Sequence, residues 1–176
     1  MVGRAEHSSL LWPARSACRR RPTQTARLTR MNVYLAAAMT NPSQDLAVIA
    51  GLLACLEADG HEVPTRHVAK PRARERDVGI SDRELAERDL AWLRGSDALV
   101  AEVSSPSHGV GIEVASAVQM ELPTLILYGE GCTVSRLLLG LEGVESACYR
   151  DLDGARRAMR SFLTRIGAAP RDRRDA

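Results

Sequence analysis

Aromatic residues make up only 3% of the 176-residue chain, and Phe162 is its single phenylalanine. The core must therefore be built from Leu, Val, Ile and Ala, and a stacking site for a flavin ring has no residues to form it. Lysine is nearly absent too. Lys70 is the only one, so 23 of the 24 basic residues are arginine. That excludes a phospho-receiver site, which needs an acidic pocket beside a lysine. Cysteine is sparse and unpaired in sequence: Cys18, Cys55, Cys132 and Cys148 form no Cys-x-x-Cys motif. Such spacing fits the reduced thiols of a cytoplasmic protein. His61, His67 and His108 show no metal-ligand spacing, so no metal site is expected. No apolar run approaches the ~20 residues needed to span a bilayer.

The formal net charge of +2 conceals an asymmetry. Residues 1–30 hold seven arginines and one acid, which leaves 17 basic and 21 acidic residues, a net of −4, from Met31 onward. A mildly acidic folded part lacks the basic footprint of a nucleic-acid binder, and no polymeric nucleic acid is expected as partner. The first 30 residues match an organellar transit peptide in composition. The simpler reading is a disordered Arg-rich extension, or a mis-assigned start with Met31 as the true beginning. One domain is expected over residues 31–167, followed by a disordered polar tail, 168–176.

Strand and helix patterns alternate along that domain. Strands are expected at 32–37, 62–67, 98–103, 124–128 and 146–149, the one at 62–67 short. Helices are expected at 42–58, 81–94, 110–120, 135–139 and 151–166, with 69–80 as a loop. Asp59-Gly60 and Gly95 mark helix ends, and Ser81 to Glu84 spells a capping box. Uniformly apolar strands separated by helices predict an α/β, flavodoxin-like (Rossmann-like) three-layer fold. Its sheet would have five parallel strands in the order 2-1-3-4-5. Ligands in such a sheet bind beyond the carboxyl strand ends, where the winding reverses. Two segments fall there: Ala36–Asn41 and Ser104–Glu113.

The second segment reads Ser-Ser-Pro-Ser-His-Gly-Val-Gly-Ile-Glu. Gly109 and Gly111 let the backbone pass close to a ligand, Ser105 and Ser107 offer hydroxyls, and the next helix presents free N–H groups to an anion. A plain strand-to-helix turn has the same composition. Glu113 lies in the first helical turn among apolar neighbours, where a carboxylate needs a partner or a task. It could equally complement the helix dipole at the surface. Glu102, ending a buried strand, is a rival. Asp89 shares an apolar helix face with Leu85, Trp92 and Leu93, and is either capped or recruited by a site. Tyr34 in the first strand could reach the same crevice or be an ordinary core tyrosine.

Val-Tyr-Leu-Ala from Val33, Asp-Leu-Ala-Trp-Leu from Asp89, and Ala-Glu-Val-Ser-Ser-Pro-Ser-His-Gly-Val-Gly-Ile-Glu from Ala101 together resemble the nucleoside 2-deoxyribosyltransferase superfamily. Within it the chain is most similar to the 2′-deoxynucleoside 5′-phosphate N-hydrolase branch, over about residues 32–166. The resemblance implies cleavage of the N-glycosidic bond of a 2′-deoxynucleoside monophosphate without metal or organic cofactor. It makes Glu113 the nucleophile, Tyr34 the hydroxyl that orients it, and Asp89 the group that assists departure of the base. Ser107, with Gly109 and Gly111, would hold the 5′-phosphate. Ser135 would reach the site of a neighbouring copy in a homodimer or larger homo-oligomer.

One departure from the family pattern stands out. Where the hydrolase branch has Gly-Ser-Ile-Arg-Gly-Gly after the tyrosine, this chain has Ala37-Ala38-Met39-Thr40-Asn41-Pro42. The charge-assisted phosphate contact of that arginine is therefore lost. Met39 would face the sugar and exclude a 2′-hydroxyl, and Thr40, Asn41, Ser43 or a nearby arginine would have to compensate at the phosphate. The alternatives are a deoxyribosyltransferase that passes the sugar to a second base, and a non-catalytic nucleotide-binding module. The Arg-Asp-Arg-Arg-Asp-Ala tail offers no counterpart of the transferases' C-terminal contribution, and the retained acids argue against the module.

Overall fold

The computed structural model describes residues 29–39, 45–71 and 77–168. Four parallel strands form its sheet, β1 (Val33–Ala37), β2 (Ala98–Glu102), β3 (Thr124–Gly129) and β4 (Val144–Tyr149), in the order β1-β2-β3-β4. The helices are α1 (Leu46–Ala58), α2 (Asp82–Arg94), α3 (His108–Gln119), α4 (Arg136–Leu139) and α5 (Leu152–Ala168). The expected N-terminal extension up to residue 28, the start of the first helix at Pro42, and the tail from residue 169 lie outside the described residues.

The expectation of five strands in the order 2-1-3-4-5 is corrected to four. Of the segment 62–67 only Glu62 pairs with the sheet, through a single parallel bridge to Asn32. Glu62 donates its N–H to the Met31 carbonyl (2.8 Å), and Val33 donates to the Glu62 carbonyl (2.8 Å). The next rung fails for a covalent reason: Pro64 has no N–H to give. Thr65 then substitutes a side chain for the ladder. Its hydroxyl accepts from Leu35 N–H (3.0 Å) and donates to the Leu35 carbonyl (2.7 Å). The edge of β1 is thus satisfied without a strand, and the chain coils into a 3₁₀ turn over Arg66–Ala69.

Side chains of a strand alternate between the two faces of its sheet. On one face Val33, Leu35, Val100, Leu125 and Leu127 pack with Ile49, Leu52 and Leu56 of α1 and with Met159, Phe162 and Leu163 of α5. On the other, Tyr34, Ala36, Leu99, Ala101 and Ile126 pack with Leu93 of α2 and with Val110, Val114 and Ala117 of α3. Two apolar cores therefore flank the sheet, giving the expected three layers. α1 and α5 approach closely at Gly51, where an added Cβ would stand 2.5 Å from the Leu152 side chain.

The helix signals in the sequence act as physical caps. Asp45 accepts from Ala47 N–H (3.0 Å) and Val48 N–H (3.2 Å) to open α1. Ser81 and Glu84 close the capping box of α2, and Ser107 accepts from Val110 N–H (3.4 Å) to open α3. α3 begins two residues earlier than the apolar pattern predicts, because the Ser107 cap draws His108 and Gly109 into its first turn.

Candidate active site

Tyr34, the second residue of β1, projects toward α3, and its hydroxyl donates to Glu113 Oε1 at 2.6 Å. Tyr34 is buried, while Glu113 is half-buried in the first turns of α3. A phenol–carboxylate contact this short is a charge-assisted hydrogen bond that fixes both partners. Burial pushes the Tyr34 hydroxyl far above the usual phenol range, and the charge of Glu113 and the bond to it add to that effect. The phenol therefore keeps its proton and acts as donor.

Burial also pushes the Glu113 carboxyl up to about 7; the Tyr34 bond opposes that shift and the charge of Asp89 reinforces it. The carboxyl accordingly titrates at neutral pH instead of being ionised throughout. Asp89 stands on α2 near enough for its charge to act on both Tyr34 and Glu113. Its own carboxylate is held by Arg88, whose Nε donates to Asp89 Oδ1 (3.0 Å) while Nη1 donates to Asp77 Oδ1 (2.7 Å). The Arg88 guanidinium lies over the Trp92 ring, 4.7 Å from its centroid. Ion pairs and ring stacking thus lock this arginine in place.

Two acids and a phenol, drawn from three separate elements, converge on the face of the sheet that carries α2 and α3. Arg88 is the member that the sequence reading missed. Its signal was its place beside Asp89 and one helical turn before Trp92.

The other expected residues are placed as follows. Ser107 caps α3 at the carboxyl end of the sheet; Gly109 and Gly111 form the first turn beyond it, and nothing lies within 4 Å of a Cβ built on Gly111. That leaves the backbone there open to a ligand. Met39, half-buried just past β1, packs against the core on the α1/α5 side. Ser135 is exposed at the start of α4 and makes no capping bond. Thr40, Asn41 and Ser43 lie outside the described residues.

Glu102, the rival acid, falls on the opposite face of the sheet from Tyr34. Tyr34 registers with Leu99, so Leu99 and Ala101 share its face, and Glu102 joins Ala98 and Val100 on the other. Its carboxylate is engaged by Ser104 and Tyr149.

Among the described residues no group of His, Cys, Asp or Glu is arranged to hold a metal ion, and no helix is long and apolar enough to cross a membrane. Cys55, Cys132 and Cys148 are free thiols.

Solved structures share the fold. The fold matches a CMP N-glycosidase from Clostridium botulinum (TM-score 0.57, 22% identity, covering 74% of this chain and 98% of that one). It also matches a 2-deoxyribosyltransferase from Bacillus psychrosaccharolyticus (TM-score 0.54, 16% identity, 75% and 95%). The fold is therefore the Rossmann-like α/β fold of those two proteins.

Sequence comparison is sharper. The chain is 39% identical over 137 residues to a Thermofilum pendens protein named for 2′-deoxynucleoside 5′-phosphate N-hydrolase activity, covering 76% of this chain and 95% of that one. A Methanosarcina barkeri protein of the same name is 31% identical over 133 residues (74% and 84%). The 5-hydroxymethyl-dUMP N-hydrolase of Tetraodon nigroviridis is 32% identical over 125 residues (69% and 87%). No family model matches the chain. On these relatives, the chain belongs to the 2′-deoxynucleoside 5′-phosphate N-hydrolase family.

Proposed function

We propose that the protein hydrolyses the N-glycosidic bond of 2′-deoxynucleoside 5′-monophosphates, releasing free base and 2-deoxyribose 5-phosphate, with Glu113 as nucleophile. The observation that carries this reading is the 2.6 Å bond from Tyr34 to one Glu113 oxygen. It presents the other oxygen, Oε2, to a reacting carbon. Oε2 attacks C1′ of the deoxyribose while the C1′–N bond breaks and its electron pair leaves with the base. A carboxylate there stabilises the oxocarbenium-like charge that develops on the sugar. Asp89 assists departure of the base, as proton donor where it carries a proton in the substrate complex, or through a hydrogen bond. Water then attacks C1′ of the ester, gives up a proton, and frees the Glu113 carboxylate. Two displacements at one carbon retain its configuration.

Ser107, the Gly109 and Gly111 backbone and the amino end of α3 receive the 5′-phosphate, by the general affinity of helix N-termini for anions. Ser135, exposed and uncapped, completes the phosphate contact in a neighbouring copy, so the working unit is a homodimer or larger. The catalytic domain spans residues 31–167, and the free thiols suit a cytoplasmic setting.

The test is to incubate the protein with each deoxynucleoside, its 5′-monophosphate and the matching ribonucleotide, and to assay free base. Base released from deoxynucleoside monophosphates in preference to the other two supports the reading. Release from none of them overturns it; equal release from nucleoside and monophosphate removes the phosphate roles. A new nucleoside formed when a second base is supplied would instead identify a transferase.

A further inference from the structure

A second polar constellation lies on the far face of the sheet from Tyr34, at the same carboxyl edge. Glu102 is the last residue of β2, 2% exposed, and sits in register between Ala37 of β1 and Leu127 of β3. A buried carboxylate at a central strand end is costly unless donors surround it. Here three donors converge on Oε1: the Ser104 N–H (3.1 Å), the Ser104 hydroxyl, and the Tyr149 hydroxyl (3.0 Å). The Ser104 oxygen in turn accepts from the Gly129 N–H at 2.8 Å. Each proton is used once, so the network is internally consistent. Burial pushes the Tyr149 hydroxyl up to about 12, and it remains a donor through neutral pH.

The network joins the ends of three strands to one loop. β2 supplies Glu102, β3 supplies Gly129, β4 supplies Tyr149, and Ser104 opens the turn that leads through Ser107 into α3. An added Cβ on Gly129 would meet Cys132 Sγ at 3.4 Å and Ser104 Oγ at 3.5 Å, so the clamp is closely packed. Two further bonds fix the same turn, from Val103 N–H to the Leu127 carbonyl (2.8 Å) and from Val110 N–H to Ser107. Ser105 between them is buried. The turn is thus held at both ends, by Glu102 and Val103 on the β2 side and by the Ser107 cap on the α3 side.

We infer that Glu102 is a positioning residue: its buried carboxylate clamps Ser104 to β3 and β4 and so sets the geometry of the Ser104–Gly109 turn that receives the substrate's 5′-phosphate. This rests on the proposed function for the phosphate, but not for the existence of the clamp. Glu102 touches no reacting atom. Its influence falls on binding of the anionic end of the substrate and not on the step at C1′, where Glu113 and Tyr34 act from the opposite face.

The test uses the full chain carrying Glu102→Gln, which keeps the shape and removes the charge that strengthens all three bonds. Tyr149→Phe is a milder companion that removes one donor, and it stands in if the glutamine variant does not fold. Amide hydrogen exchange at residues 104–110 is expected to quicken about tenfold while α5 exchange stays unchanged. KM for a deoxynucleoside monophosphate is expected to rise about tenfold with kcat nearly constant, and kcat/KM for the phosphate-free deoxynucleoside to stay within about twofold. Tyr149→Phe should move each quantity the same way by a smaller factor. Unchanged exchange at 104–110 overturns the inference, as does a fall in kcat at constant KM or an equal loss for both substrates. If the wild-type protein cleaves no deoxynucleotide, the functional reading fails on that result alone, and the exchange arm still decides the clamp.

Discussion

Replacing Tyr34 by Phe isolates one hydrogen bond at almost constant shape. Tyr34 is 1% exposed within a packed core, and Phe fills the same volume without the hydroxyl. What disappears is the 2.6 Å donor to Glu113 Oε1. A hydrogen bond to a charged acceptor contributes about 1.5–3 kcal/mol. This one favours the ionised carboxylate and opposes the burial that already raises Glu113 to about 7. At 1.36 kcal/mol per pKa unit, its loss moves the Glu113 titration to about 8 or 9.

A nucleophilic carboxylate must be ionised, so the acid limb of kcat/KM should move upward with it. At pH 7 the ionised fraction falls from about one half to between about 1 and 10 per cent, and kcat/KM falls about five- to fiftyfold. The assay is the initial rate of base release from pH 5 to 10 for both proteins. Recovery of much of the lost rate above pH 9 distinguishes this effect from a general loss of geometry. Superimposable pH limbs, or a limb displaced to lower pH in Tyr34→Phe, would show that the Tyr34 bond does not set the Glu113 titration.

Glu113→Gln should also change the pH dependence of stability. The carboxyl titrates near 4.5 when unfolded and at about 7 when folded, so the folded state holds the proton more tightly. Wild-type stability therefore falls as pH rises through that window, by about 3 kcal/mol at most, and the glutamine variant lacks the slope. Urea unfolding at pH 5 and pH 8 measures it, and parallel behaviour of the two proteins counts against the raised titration. Ser107→Ala removes the α3 cap and should cost about 1 kcal/mol in the same assay, while raising KM for monophosphates more than for nucleosides. Gly51→Ala drives a Cβ to within 2.5 Å of Leu152 and should destabilise by about 1–3 kcal/mol. Adding Leu152→Ala should recover part of that loss if the contact is its cause.

How much of this was legible in the sequence follows from what is local. The capping box at Ser81, the Asp59-Gly60 stop of α1 and the apolar run of β2 each act within a few residues, and the elements they predict are present. The second strand was expected from the α/β alternation, while its fate turns on one missing N–H at Pro64 and one hydroxyl at Thr65. Glu113 drew notice as an acid among apolar neighbours. Choosing it over Glu102 from the residues alone required the β1–β2 register, which puts Tyr34 and Glu102 on opposite faces. Register is a property of two segments about 65 residues apart and leaves no mark in either. Tyr149 was hidden for the same reason, since it meets Ser104 and Glu102 across a separation of more than forty residues. Arg88 was within reach, because its neighbours Asp89 and Trp92 lie on the same helix.

Trapping the covalent bond proposed between Glu113 and the sugar is the most direct measurement. Substrate mixed with enzyme, quenched in acid within milliseconds and digested with pepsin, should yield the peptide containing Glu113 with one deoxyribose phosphate ester. Turnover in methanol should give the methyl glycoside with retained configuration at C1′. An ester on a different residue, or a product of inverted configuration with Glu113 unmodified, would contradict the account.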